Sequence, residues 1–99
     1  MRLVLASLAL ATLAACGPIQ STAALIDAVV EIEAARAAGA AQASPYEFTG
    51  AEAYLKKARE VSGRAQFESS TKLAAKAVSL AKEARRNAVG ASNKDRENP

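Results

Sequence analysis

The side chains able to do chemistry are few in this 99-residue chain. There is one cysteine, Cys16, and no histidine. A lone thiol forms no internal disulfide and no Cys-rich zinc site. Without histidine there is neither an imidazole general base nor a His metal ligand, so no metal site is expected. Two carboxylate pairs, Glu31 with Glu33 and Glu47 with Glu52, have the residue type for general acid–base work. Neither has an evident low-dielectric pocket to raise one pKa into a catalytic range. Ser69, Ser70 and Thr71 carry hydroxyls but have no base to activate them. No Lys–Ser motif of the hydrolase type and no glycine-rich phosphate loop occurs. The expectation is a protein that is not an enzyme and needs no cofactor.

What remains is charge. From Cys16 to Leu55 the chain carries five acids and one arginine, and from Lys56 to Pro99 eleven bases and five acids. The simplest physical consequence is an acidic first helix lying beside a basic second half. The functional alternative is a basic face of Lys57, Lys72, Lys76, Lys82, Arg85 and Arg86, meeting cell-wall polymer, anionic lipid or an acidic protein. Nucleic acid is not expected as a partner, because aromatics for base stacking do not interleave with these bases. Tyr46, Phe48, Tyr54 and Phe67 are the only aromatics. Their helical spacing places them in a core, with Tyr46 in a cap region and exposed.

These residues must be positioned by helices. Alanine accounts for 26 of the 99 residues, while residues 16–99 hold only 16 larger aliphatics and aromatics, so any core is thin. Leu25, Val29 and Ile32 recur at helical spacing, with Ile26 and Val30 beside them, which predicts a helix over about 22–42. Ser44-Pro45-Tyr46-Glu47 reads as a capping box with Pro at the first helical position, opening a second helix over about 45–62 with Gly63 as its C-cap. Thr49-Gly50-Ala51-Glu52 is an alternative start. Ala51, Tyr54, Leu55, Ala58 and Val61 form its apolar face. A third helix over about 65–89 gathers Leu73, Ala74, Ala77, Val78, Leu80, Ala81, Ala84 and Ala88 on one side, and Gly90 ends it. The expected fold is all-α: an antiparallel three-helix bundle, or a helical hairpin plus one helix, with Ala-rich seams. Phe48, Tyr54, Leu55, Phe67, Leu73 and Leu80 are expected to set the register. Residues 91–99 read as a disordered tail.

Ahead of this body lies an address. Arg2 precedes the apolar run Leu3 to Leu13, and small residues Ala14 and Ala15 follow. That is the pattern of a signal peptide, removed over 1–15, and the run is too short for a membrane-spanning helix. Gly17-Pro18 breaks structure, so 16–21 is expected to be a tether. Leu13-Ala14-Ala15-Cys16 resembles the lipobox of bacterial lipoproteins. The resemblance implies cleavage before Cys16, with diacylglyceryl and N-acyl groups on that residue and anchoring by several acyl chains. Gly17 after the cysteine implies the outer membrane, facing the periplasm.

Pro45-Tyr46-Glu47-Phe48-Thr49, Ala51 to Glu60, Phe67 and the alanine-rich run 74–85 resemble an uncharacterised family of short helical envelope lipoproteins. That family brings no activity and no catalytic residues with it. Here Glu68-Ser69-Ser70 stands where the family has alanine. Ala51, Tyr54, Leu55, Ala58, Gly63 and Phe67 also resemble the helical hairpin of a tetratricopeptide repeat. The functional expectation is a lipid-anchored interaction or adaptor protein that pairs with an envelope protein or with itself. The alternative is a basic-faced module for cell-wall polymer or anionic lipid.

Overall fold

A computed structural model describes the backbone of residues 2–98 and the side chains of residue 4 and residues 17–98. The chain is all-α, as its periodicity predicts. α1 spans Arg2–Ala37, α2 is the single turn Ala40–Ala43, α3 spans Pro45–Gly63 and α4 spans Phe67–Glu97. α3 and α4 run antiparallel, as cross-contacts show: Asn87 reaches Ser44, Leu80 lies against Gly50, and Ser70 bonds Ala58. α1 pairs with α3 through Ser21–Ser62 and Arg36–Glu52, also antiparallel. α1 and α4 are therefore parallel, and α4 packs closely along both other helices.

The seam between them is made of small residues. Ala28, Ala35, Ala51, Ala58, Ala74, Ala77, Ala81, Ala84 and Ala88 are buried, joined by Ile32, Phe48, Leu55 and Val61. Alanine faces let helix axes approach to about 8 Å, the near end of normal packing. Of the residues expected to set the register, Phe48 and Leu55 are buried, and Phe67, Leu73 and Leu80 are half-buried. Tyr54 is not core; it stands at the surface.

The largest fully buried side chains are two serines, Ser21 and Ser70. Ser21 Oγ donates to Ser70 Oγ at 2.9 Å, and Ser70 Oγ donates to the Ala58 carbonyl at 2.9 Å. Ser62 Oγ stands 3.3 Å from Ser21 Oγ. One run of hydroxyls thus ties α1, α3 and α4 together, and each buried oxygen is satisfied.

Four expectations are corrected. Residues 16–21 are not a tether but part of α1, which runs through Pro18; Ser21 is buried and bonded there. The first helix stops at Ala37 rather than near 42, because Gly39 adopts φ 84° and one separate turn follows. Gly63 is the last residue of α3, and the left-handed residue of the turn is Ala65, at φ 60°; α4 accordingly starts at Phe67 rather than 65. Gly90 lies inside α4, and 91–97 is helical, not a disordered tail. The seam ends at Ala88, and only exposed residues follow it. Lys94 and Arg96 in the last turn complement the helix dipole there. The side chain of Cys16 and those of the proposed leader, residue 4 apart, lie outside the described residues. Among the described residues no helix is long and apolar enough to cross a membrane.

The α3–α4 turn generates a stability prediction. An alanine in the left-handed region costs about 1 kcal/mol more than glycine there, whereas glycine in a helix costs roughly 0.5–1 kcal/mol relative to alanine. Nothing lies within 4 Å of a Cβ built on Gly63. Ala65→Gly and Gly63→Ala are each expected to raise the thermal midpoint by several degrees, and the exchanged pair to raise it further.

Candidate functional site

A groove opens between α3 and α4 on the face away from α1. Tyr46, Thr49, Tyr54, Lys76 and Leu80 line it around Gly50, enclosing about 670 Å³. Gly50 shapes its floor: a Cβ there would come within 3.2 Å of Leu80 Cδ1. Tyr46 is 84% exposed and Tyr54 36%. Two phenol rings and an ammonium can stack on and hydrogen-bond a bound group.

The first turn of α3 holds Tyr46 in place. Ser44, Pro45 and Glu47 occupy the N-cap, N1 and N3 positions that their order predicts. The reciprocal capping bonds are not made, however. The Ser44 backbone N–H already donates to the Ala40 carbonyl of α2 at 2.8 Å, so Glu47 is not needed there. Instead Ser44 Oγ donates to Glu47 Oε2 at 2.6 Å and accepts from Asn87 Nδ2 at 3.0 Å. The Ser44 hydroxyl, and next the backbone N–H of Glu47 itself, hold the Glu47 carboxyl below its ordinary value. The cap box thereby fastens α3 to α4 beside the groove.

The expected basic face divides in two. Lys72 and Lys76 lie one turn apart, with Lys76 at the groove edge. Lys82 and Arg86 form a second pair further along α4 within the same arc of roughly 120°, Arg86 lying about 40° of rotation from Lys72. Exposed Glu83 interrupts the surface between them. Lys72 is paired with Glu68 at 3.3 Å and Lys57, on α3, with Glu60 at 3.6 Å. Arg85 turns away toward α1, 3.9 Å from Glu31. That contact realises the acidic-against-basic packing of the two halves in part, whereas Arg36–Glu52, at 3.7 Å, joins α1 to α3 within the acidic half. All these pairs are substantially exposed, apart from the Glu31 carboxylate, and exposed pairs contribute little to stability.

The carboxylate pairs do not face one another. Glu31 points to Arg85, with Oε2 buried and without a hydrogen-bond partner. Glu33 meets Arg36 at 3.4 Å, and Arg36 also lies 5.2 Å from the Phe48 ring centre. Ser70 is spent on the seam, and Thr71 bonds the Phe67 carbonyl of its own helix. Among the described residues no cluster of three or more Cys, Asp or Glu is placed to hold a metal. The sequence pattern marks Tyr46 as exposed and Lys76 as part of a basic face, and it places Tyr54 in the core, where the structure does not. The signal for Tyr54 was its position at the edge of the apolar stripe, beside Gly50's side of the helix.

Glu47 generates a pH prediction. Its folded-state pKa is depressed, so its contribution is present above the ordinary carboxylate value of 4.5 and is lost as pH falls through the lower folded value. Glu47→Gln should lower the melting temperature at pH 7, and the gap to the unaltered chain should narrow as the melts are repeated toward pH 3. A gap constant with pH would remove the assigned role of the Ser44–Glu47 bond. The chain matches no protein-family model, no curated protein and no solved structure.

Proposed function

We propose that this chain is a lipid-anchored, non-enzymatic interaction protein of the bacterial cell envelope, held at Cys16 in the outer membrane and facing the periplasm. The carrying observation is Leu13-Ala14-Ala15-Cys16 at the end of an eleven-residue apolar run, with small residues just before the only cysteine. Two further features support it. Pro18 lacks an N–H, which deep in a helix costs about 3 kcal/mol. Cleavage before Cys16 moves Pro18 into the first turn, where that N–H has no helical partner to lose. Gly17 also packs against Phe67 at the α3–α4 end of the bundle, its built Cβ 3.6 Å from the ring. An anchor on the neighbouring residue would therefore hold the bundle by one end.

A second reading rests on the groove. Lys76 beside Tyr46 and Tyr54 favours a module that takes an acidic, ring-bearing cell-wall polymer, with anionic lipid as the competing ligand of the same basic surface. Neutralising Lys72, Lys76 and Arg86 together should abolish salt-sensitive retention on purified cell wall or anionic vesicles. Unchanged retention sinks this reading and leaves the first untouched.

For the anchor, intact-mass measurement of the protein extracted from membranes should give a chain beginning at Cys16 and carrying acyl groups. Cys16→Ala should leave the membrane fraction while keeping its helical circular dichroism. An unacylated wild-type chain, or membrane retention of Cys16→Ala, overturns the proposal.

A further inference from the structure

α1 is apolar on two opposite sides. Its inner side, with Ser21, Ala28, Ile32 and Ala35, is buried in the bundle. Its outer side carries Ile19, Ala23, Ile26, Val30 and Ala37, all exposed. At about 100° per residue the two sets lie roughly 180° apart. Ile19, Ile26 and Val30 are 69%, 57% and 59% exposed. A helix at the surface of a monomer normally turns charges outward, and one apolar on all sides is covered on all sides.

The outer positions alternate at spacings of four and three residues, with Glu33 falling in step between Val30 and Ala37. That is the seam of a two-stranded coiled coil, whose remaining positions are here used by the bundle itself. We propose that this face of α1 pairs with the same face of a second copy of the chain, the two α1 helices running parallel.

Charge selects both the occupant and the direction, the one acid in the seam, Glu33, being paired with Arg36 of its own chain. One edge of the stripe carries Asp27. Along the other edge a shallow groove of about 240 Å³ is walled by Thr22, Val29 and Arg59, the last reaching over from α3. In a parallel pair each edge faces the opposite edge of the second copy, so Asp27 of one chain meets the side on which Arg59 lies. In an antiparallel pair acidic edge would face acidic edge. Asp27 and Glu33, both exposed, also disfavour an anionic lipid surface as the covering of this face. Parallel pairing places both copies' Cys16 at the same end. From Ile19 to Ala37 the seam is about 27 Å long at 1.5 Å per residue. A strip of that length and one helix (roughly 10 Å) wide buries less than the ~800 Å² per partner of stable complexes, so pairing is weak in dilute solution and gains from confinement of the copies.

This deepens the interaction-protein reading by naming a second copy as partner, and it does not need acylation. The test uses the full chain with Cys16→Ala in mild detergent, so that an introduced thiol is the only one and a failed anchor leaves the pairing question intact. Ile26→Cys and Val30→Cys should each crosslink to themselves under mild oxidation at least tenfold faster than Glu83→Cys on the outer side of α4. Ile26→Glu with Val30→Glu should abolish chemical crosslinking of the unmodified lysines into dimers and leave the melting temperature unchanged. Four results overturn the proposal. These are equal crosslinking rates at the three positions, faster mixed Ile26→Cys/Val30→Cys crosslinks than self-crosslinks, unfolding of the double glutamate variant, and glutamate-sensitive flotation with vesicles in the absence of dimers.

Discussion

The close approach of α4 to both α1 and α3 is the constraint on which everything else depends. Six positions of α4 face inward, and they are Ser70, Ala74, Ala77, Ala81, Ala84 and Ala88. None has a side chain longer than two heavy atoms, so stabilisation comes from many backbone-near contacts rather than from a few large groups. Such a seam has little shape to distinguish one register from the next. The hydroxyl run Ser62–Ser21–Ser70–Ala58 carbonyl supplies the missing specification. A shift of α4 by one turn would separate Ser70 from both partners and bury hydroxyls unpaired, each costing roughly 1–3 kcal/mol. Specificity in this bundle thus resides in polar bonds at one end and in Phe48 and Leu55 toward the other.

A seam that admits only small residues sends the larger ones to its rims. Leu73, Leu80 and Val78 flank the alanines of α4 half-buried, and Tyr54 flanks those of α3 at the surface. The same geometry gives α1 its second apolar side, since Ala28 and Ala35 suffice to fill its inner one, helped by Ile32. The apolar surface available for partners is therefore a consequence of how the core is built. It consists of the tyrosine-lined groove over Gly50 and the Ile19–Val30 stripe, on different sides of the molecule.

The parts of this arrangement legible in the sequence are those governed by local periodicity. The stripe of α4 was legible from Leu73 to Ala88, residue for residue, because a 3.6-residue repeat records which side is covered. Pro45 after Ser44 marked the start of α3 for a similarly local reason. Gly63 and Gly90 misled because glycine is permitted in a left-handed turn but not confined to it; Ala65 took the left-handed position, and Gly90 simply continued the helix. Ser21 and Ser70 gave no local signal, since their hydrogen bond joins residues 49 apart. Tyr54 shares the spacing of the core positions, and only the direction of α4 determines on which side of α3 the cover ends. The double-sided character of α1 was visible as Ile26 and Val30 beside the stripe, but one sequence does not say which of two apolar sides a bundle will take.

The parallel direction of α1 and α4 gives the molecule two unlike ends. Gly17, the α3–α4 turn and Phe67 share one end, and Ser44 with Asn87 marks the other. From Phe67 to Ala88 the seam is about 32 Å long at 1.5 Å per residue. Beyond it α4 continues to Glu97 without cover, carrying Lys94 and Arg96. With the proposed anchor on Cys16, this exposed helical end stands off from the membrane by the length of the bundle. A parallel pair of copies would present two such ends side by side. In the proposed anchored state, recognition falls to the flanks and the far end, because the alanine seam leaves the apolar surface on the rims rather than in an enclosed site.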